Sequence, residues 1–163
     1  MTVARSGVGA LGRLQRLGLS LPPPMPTAFS YRPALRHGSV VHVAGQIPKV
    51  GVDQLSVHGV LGKDVSEQDA LEATRLCILH ALAWVAHCAG GCLEAVDQVL
   101  RVNYFFQVPE GGFGRMSQVA DAGSNLLTEL FEEKGQHVRS VIGVRELPRF
   151  SPVLIDMDVA LRT

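Results

Sequence analysis

The nine residues from Val153 to Leu161 constrain the fold more than any other stretch of the chain. Val153, Ile155, Met157, Val159 and Leu161 alternate with Leu154, Asp156, Asp158 and Ala160. Period-two alternation puts the first set on one face of a β-strand and the second on the other, so the chain must build a sheet with one face on a core. Three more segments read as strands. Ser39 to Gly45 is short and β-branched, bounded by Gly38 and by Gln46-Ile47-Pro48. Gln98 to Val108 sets Leu100, Val102, Tyr104 and Phe106 against Val99, Arg101, Asn103 and Phe105, and Val138 to Arg145 precedes a turn-rich link from Glu146 to Pro152. A further short strand is expected around Val57–Leu61.

Two segments carry the helical period instead. Ser66, with Asp69 three residues on, caps a long helix that must stop at Gly90-Gly91, where a left-handed residue is needed. Its run from Leu76 to Ala89 is apolar apart from His80 and His87, but these 14 residues fall short of the ~20 that cross a bilayer. It is a core helix. The second helix places Met116, Val119, Ala120, Gly123, Leu126, Leu127, Leu130 and Phe131 on one face, with Gly135 closing it. Two helices cover one face of such a sheet and not both. The other face is left with Phe105, Val141, Leu154 and Ala160, too much apolar surface to stay wet, so an oligomer is expected.

Charge is balanced, with 15 Lys and Arg against 15 Asp and Glu, but it is not evenly spread. Residues 1–52 hold six basic side chains and no acid, whereas residues 53–163 carry a net −6. A neutral chain lacks the cationic excess on which nucleic-acid affinity rests. Its 47% apolar content excludes a solvated coil. Three cysteines do not make a disulfide framework, and a reducing cytoplasm is the expected compartment. The basic start, with Arg5, Arg13 and Arg16, has a transit-peptide composition; its competing reading is a short amphipathic helix, Leu11 to Leu19, followed by the stiff run Leu21-Pro22-Pro23-Pro24-Met25-Pro26. Gly7 to Gly12 matches the dinucleotide fingerprint, yet no strand precedes it and no acid follows about twenty residues on, so no nucleotide cofactor is expected. His87-Cys88 and Cys92 lack a second pair of ligands, so no metal is expected either.

Several pieces taken together resemble one family. Arg139 to Pro148, the ending Pro152 to Asp156, and Val43-Ala44-Gly45-Gln46-Ile47-Pro48 are similar to the Rid (reactive intermediate deaminase) or YjgF-like family, formerly labelled endoribonuclease L-PSP. The arm Leu17 to Pro24 and the stretch Gly135-x-His137-x-Arg139-Ser140 point to one branch of it. The resemblance implies an α+β, chorismate-mutase-like subunit: a mixed sheet, two long helices on one face, and a homotrimer with ligand clefts between subunits. Residues 11–163 then form one domain, with the arm at 11–33, and only residues 1–10 are left as a flexible N-terminus.

The resemblance also implies a small-molecule ligand of keto-acid or imino-acid type and no separate cofactor. In active members the cleft hydrolyses imines or enamines of 2-amino acids. Arg139 occupies the family's arginine position, where a guanidinium fork grips a carboxylate. Tyr31 matches the aromatic that lines the cleft, and Ala44 and Gly45 match the strand end that offers backbone groups. The family's water-handling glutamate is Leu154 here, and its cysteine position is Val141. An isobutyl group moves no proton, so binding without hydrolysis is the alternative. Asp156 is on the same strand face as Leu154, about 6–7 Å further along. His137 shares the face of Arg139 and is a candidate donor or base. A ribonuclease is disfavoured by the net −6 of residues 53–163.

Overall fold

A computed structural model describes residues 8–163. Five strands form one sheet in the order β1-β2-β7-β5-β6: β1 (Ala34–His37), β2 (Val40–Gln46), β5 (Val96–Gln107), β6 (Val138–Val144) and β7 (Val153–Leu161). Pairing is antiparallel except between β5 and β6. β3 (Lys49–Gly51) and β4 (Gln54–Leu55) make a separate small hairpin. The helices are α1 (Ala10–Arg16), α2 (Glu67–Cys88) and α3 (Met116–Phe131). This is the mixed α+β architecture expected from the sequence, with β7 at the centre because its odd-numbered face is apolar throughout. Val153, Ile155, Met157, Val159 and Leu161 are all buried.

The long helix starts where its cap requires, with the Ser66 hydroxyl accepting the Asp69 amide at 3.1 Å. Gly90 and Gly91 follow its end at φ +73° and +93°. On α2, His80 is buried among apolar neighbours and its Nε2 lies 2.8 Å from the Lys49 carbonyl, which ties the helix to the small hairpin.

Four details differ from the sequence reading. The segment around Val57–Leu61 has only an isolated bridge, Leu61 to Val65, because the preceding Lys49–Leu55 turn takes the hairpin pairing. β1 carries no apolar alternation that would mark it as a strand in the sequence. In β5 the register slips between Val96 and Gln98 and again between Val99 and Arg101. Each bulge inserts one residue and reverses the alternation, so Val99 is buried and Leu100 is exposed. Val141 pairs with Tyr104 and packs on the helix side, so it does not belong to the open face; Ile142 does.

The open face is organised in rows. Leu154 pairs with Phe105, which pairs with Ile142, giving an apolar row across three strands. The next row is Asp156, Asn103 and Ser140. Beyond it the Asp158 carboxylate meets His42 Nδ1 at 2.7 Å.

Of the N-terminal ten residues, 1–7 lie outside the described residues, and with them Arg5 and the start of the glycine motif. Ala10 opens α1 and is buried. The Glu94 carboxylate caps this helix from a distant segment, accepting the amides of Ala10 at 2.9 Å and Leu11 at 3.1 Å. Arg13 Nε donates to the Leu130 carbonyl at 2.7 Å. Replacing Glu94 by alanine should cost about 1 kcal/mol, as loss of a helix cap does. Thermal unfolding should then show a Tm lower by about 2–4 °C. An unchanged Tm would mean that α1 stays docked without its cap.

Candidate functional site

A buried tyrosine needs a partner for its hydroxyl, and Tyr104 on β5 finds one on α3. Gly123 makes room: a Cβ there would stand 2.7 Å from the Tyr104 oxygen. The phenol therefore reaches past Gly123 to Ser124 Oγ at 3.0 Å. Burial pushes its pKa up to about 12, so it stays a neutral donor.

Two further side chains converge on the same hydroxyl. His137 Nε2 lies 3.0 Å from Ser124 Oγ, and its other ring nitrogen, Nδ1, lies 2.6 Å from the Gly135 carbonyl. A carbonyl only accepts, so Nδ1 carries the proton of the neutral ring and Nε2 is bare. Arg139, two residues along β6, donates through Nη1 to Ser124 Oγ at 3.1 Å and to Asp121 at 2.8 Å, and through Nη2 to the Ser117 carbonyl at 3.3 Å. Nε and one Nη2 hydrogen of its fork have no partner among the described residues. The guanidinium carbon also stands 6.0 Å from the Tyr104 ring centre. A depression of about 280 Å³ opens over Ser124, Asn125, Thr128, Gln136, His137 and Arg139.

The expected pairing of His137 with Arg139 on one face is thus present. The remaining candidate residues stand elsewhere. Ala44 and Gly45 form a bulge in β2, where the register with β7 shifts between Val43 and Gln46. The Leu154 side chain lies directly over Gly45, where a Cβ would come within 2.8 Å of it. Tyr31, in the arm, is 54% exposed. Asp156 accepts a 2.7 Å hydrogen bond from Asn103 and faces away from Arg139 across the sheet. Burial, helped by Asp158, raises its pKa against the pull of Asn103 and Arg101. Val141 lies beside Tyr104 and packs, half-buried, against the core. The chain therefore holds two groups, Arg139 with His137 on the helix side and Gly45 with Leu154 on the open face.

A larger opening, about 620 Å³, lies where β5 and β6 end, between Lys63, Glu110 and Arg145. It contains none of the candidate residues and no hydrogen-bonded set like that around Ser124. Sequence reasoning missed Ser124 itself. Its signal was the small pair Gly123-Ser124 inside an apolar helix face, opposite a strand carrying a tyrosine. Among the described residues no cluster of three or more His, Cys, Asp or Glu could hold a metal ion, and no helix is long and apolar enough to cross a membrane.

Burial lowers the pKa of His137, Arg139 adding to the effect against the pull of the Gly135 carbonyl. Burial likewise lowers that of His80, with the Lys49 carbonyl opposing. An unfolded histidine takes its proton near pH 6.5, and these two take theirs lower. The unfolded chain then binds more protons, so stability is complete above about pH 6.5 and is lost as pH falls toward the folded values. Asp156, raised in the fold, acts with the opposite sign at the acid end. Urea midpoints should be lower at pH 5.5 than at pH 7.5, and His80→Gln should flatten that difference. Equal midpoints at the two pH values would refute it.

Comparison with known proteins agrees with this fold. A family model described as "YjgF/chorismate_mutase-like, putative endoribonuclease" matches residues 11–160. Protein TCP17 of Trypanosoma cruzi is 35% identical over 162 residues, covering 99% of each chain. The crystal structure of Atu1372 from Agrobacterium tumefaciens, a protein of unknown function, superposes with a TM-score of 0.86 at 31% identity, covering 94% of this chain and 92% of that one. E. coli TdcF, crystallised with bound serine, shares the fold with a TM-score of 0.60 at 18% identity, over 86% and 94% of the two chains. The fold and the motifs from Val43 to Pro48 and from Gly135 to Pro148 thus have one origin: the chain belongs to the YjgF/chorismate mutase-like family, also called Rid.

Proposed function

We propose that the protein binds a small carboxylate, of the 2-keto or 2-imino acid kind, at Arg139 in clefts between the subunits of a homotrimer. The observation that carries this reading is the state of the Arg139 fork. Three acceptors on α3 hold one side of it, while Nε and one Nη2 hydrogen remain for two parallel bonds to a carboxylate. β6 is an edge strand, so a second copy can bring its own Tyr31, Ala44, Gly45 and Leu154 against it. Such an assembly also covers the apolar row of Leu154, Phe105 and Ile142. The serine found in TdcF supports a small-molecule ligand in this fold.

Binding is favoured over imine hydrolysis by Leu154. It sits on Gly45 as an apolar cover, and Asp156 is engaged with Asn103. Neither supplies a base for water. A ribonuclease activity is disfavoured by the net −6 of residues 53–163.

A thermal-shift screen of 2-keto acids and aromatic acids tests the binding. At least one acid should stabilise the wild type and not Arg139→Ala. Sedimentation should give the mass of three chains. In parallel, 2-iminopropanoate made by an amino-acid oxidase should decay at the same rate with and without protein. A clear acceleration would favour the deaminase reading, and the absence of stabilisation by any acid would end the binding one.

A further inference from the structure

We propose that Ser124 is a nucleophile activated by His137, able to accept the acyl group of esters or thioesters of small carboxylic acids. The hydrogen bonds around Ser124 admit one arrangement of protons. The Gly135 carbonyl fixes the His137 proton on Nδ1, so Nε2 can only accept. The Ser124 hydroxyl must therefore donate to Nε2 at 3.0 Å. Arg139 Nη1 can only donate, at 3.1 Å, and the remaining lone pair of Oγ accepts the Tyr104 hydroxyl, at 3.0 Å.

A serine inside a helix usually turns to solvent or returns its hydroxyl to the carbonyl four residues back. Ser124 instead spends its hydrogen bonds on a base and two donors. A hydroxyl on a base whose far nitrogen is oriented by a third group is the arrangement that activates a nucleophile. The site is reachable, because Ser124, His137 and Arg139 all line the 280 Å³ depression.

The step balances without a cofactor. Oγ bonds to the acyl carbon while its proton passes to His137 Nε2. Arg139 Nη1, in contact with Oγ, turns from it to the carbonyl oxygen as that oxygen becomes negative. The intermediate collapses by breaking the bond to the leaving alkoxide or thiolate, which takes the proton back from Nε2. Water then attacks the acyl-serine, gives its proton to Nε2, and the serine leaves with that proton.

The test uses diisopropyl fluorophosphate on the intact protein. Attack forms one O–P bond, releases fluoride and passes the hydroxyl proton to His137. One adduct per chain is expected by intact mass, mapping to Ser124 after digestion, and none on Ser124→Ala. The labelling rate should fall about a hundredfold in His137→Asn. It should also fall in the wild type as the pH drops below the point where His137 takes a proton. The other titratable and charged groups around this cluster are Arg139 on β6, Asp121 on α3 and Tyr104 on β5. No adduct at millimolar reagent, an adduct on another residue, or a rate indifferent both to pH and to a folded His137→Asn would overturn the proposal. Should His137→Asn fail to fold, the wild-type pH profile decides alone. None of these outcomes depends on whether Arg139 binds a carboxylate.

Discussion

Gly135→Ala is expected to destabilise the protein by about 3 kcal/mol, near the upper end of what overpacking produces. A Cβ at this position would stand 2.2 Å from the Leu127 carbonyl oxygen and 2.6 Å from its carbon. Both are backbone atoms of α3 and cannot swing aside as a side-chain end would. Relief requires the helix end and the first residues of β6 to part. The Tm should fall by about 6–12 °C. Gly90→Ala is the matched control. Gly90 has φ +73°, but nothing lies within 4 Å of its Cβ, so the only penalty is the left-handed backbone. That penalty is about 1–2 kcal/mol. Gly135 has no left-handed φ, so a loss there no larger than that at Gly90 would show that α3 gives way to the new Cβ at little cost. Gly135→Ala has a second effect, since its carbonyl fixes the His137 tautomer. Even where the variant folds, the histidine should titrate differently by NMR.

The other large effect is on binding. Arg139→Ala should weaken any stabilising carboxylate by about ten- to a hundredfold, the value of losing hydrogen bonds to a charged group. Stability should change little, because the ion pair with Asp121 is partly exposed at both ends and such pairs contribute about 0–1 kcal/mol. Loss of affinity in a folded variant is therefore attributable to the guanidinium. Arg139→Lys keeps the charge and loses the planar fork, so it should recover only part of the affinity. Asp121→Asn should move the other way. Its carboxylate, 2.8 Å from Arg139, competes for the same cation, and neutralising it should tighten anion binding. Calorimetry on the four proteins gives the ordering Asp121→Asn, wild type, Arg139→Lys, Arg139→Ala from tightest to weakest. If Arg139→Ala bound as well as the wild type, the carboxylate would have to sit elsewhere, and the cleft between Lys63 and Arg145 would be the next place to look.

What could be read from the sequence follows from how local each signal is. The limits of β7 and the start of α2 were legible, because alternation and an N-cap are written in consecutive residues. β5 was legible as a strand but not in its facing. Nothing local marks Asp97 and Leu100 as extra residues; only the antiparallel partner β7 counts them out. That miscount put Leu100 in the core and left Val99 on the wrong side. Val141 was misplaced because its facing is fixed by the parallel partner Tyr104 and not by its own neighbours. His137 and Arg139 were found together because residues two apart in a strand share a face. Ser124 was missed because its partners come from β5 and from the start of β6, distant in the chain, and a serine in an apolar helix stripe reads as a tolerated small residue. Separation of Arg139 from Leu154 and Asp156 was invisible for the same reason: a motif gives order along the chain and not the side of the sheet.

The place of β7 has a consequence for biosynthesis. It is translated after every strand it joins, yet it lies between β2 and β5 in the sheet. Until it leaves the ribosome, β1 and β2 have no hydrogen-bonded path to β5 and β6. From the emergence of β6 until that of β7, the nascent chain thus carries two unconnected half-sheets, each with a raw edge and an apolar face. Folding must then close by insertion of a strand into a waiting gap, and not by growth outward from a finished centre. A stalled ribosome that withholds the last strand should leave a chain that recruits chaperones, whereas one that has released it should not.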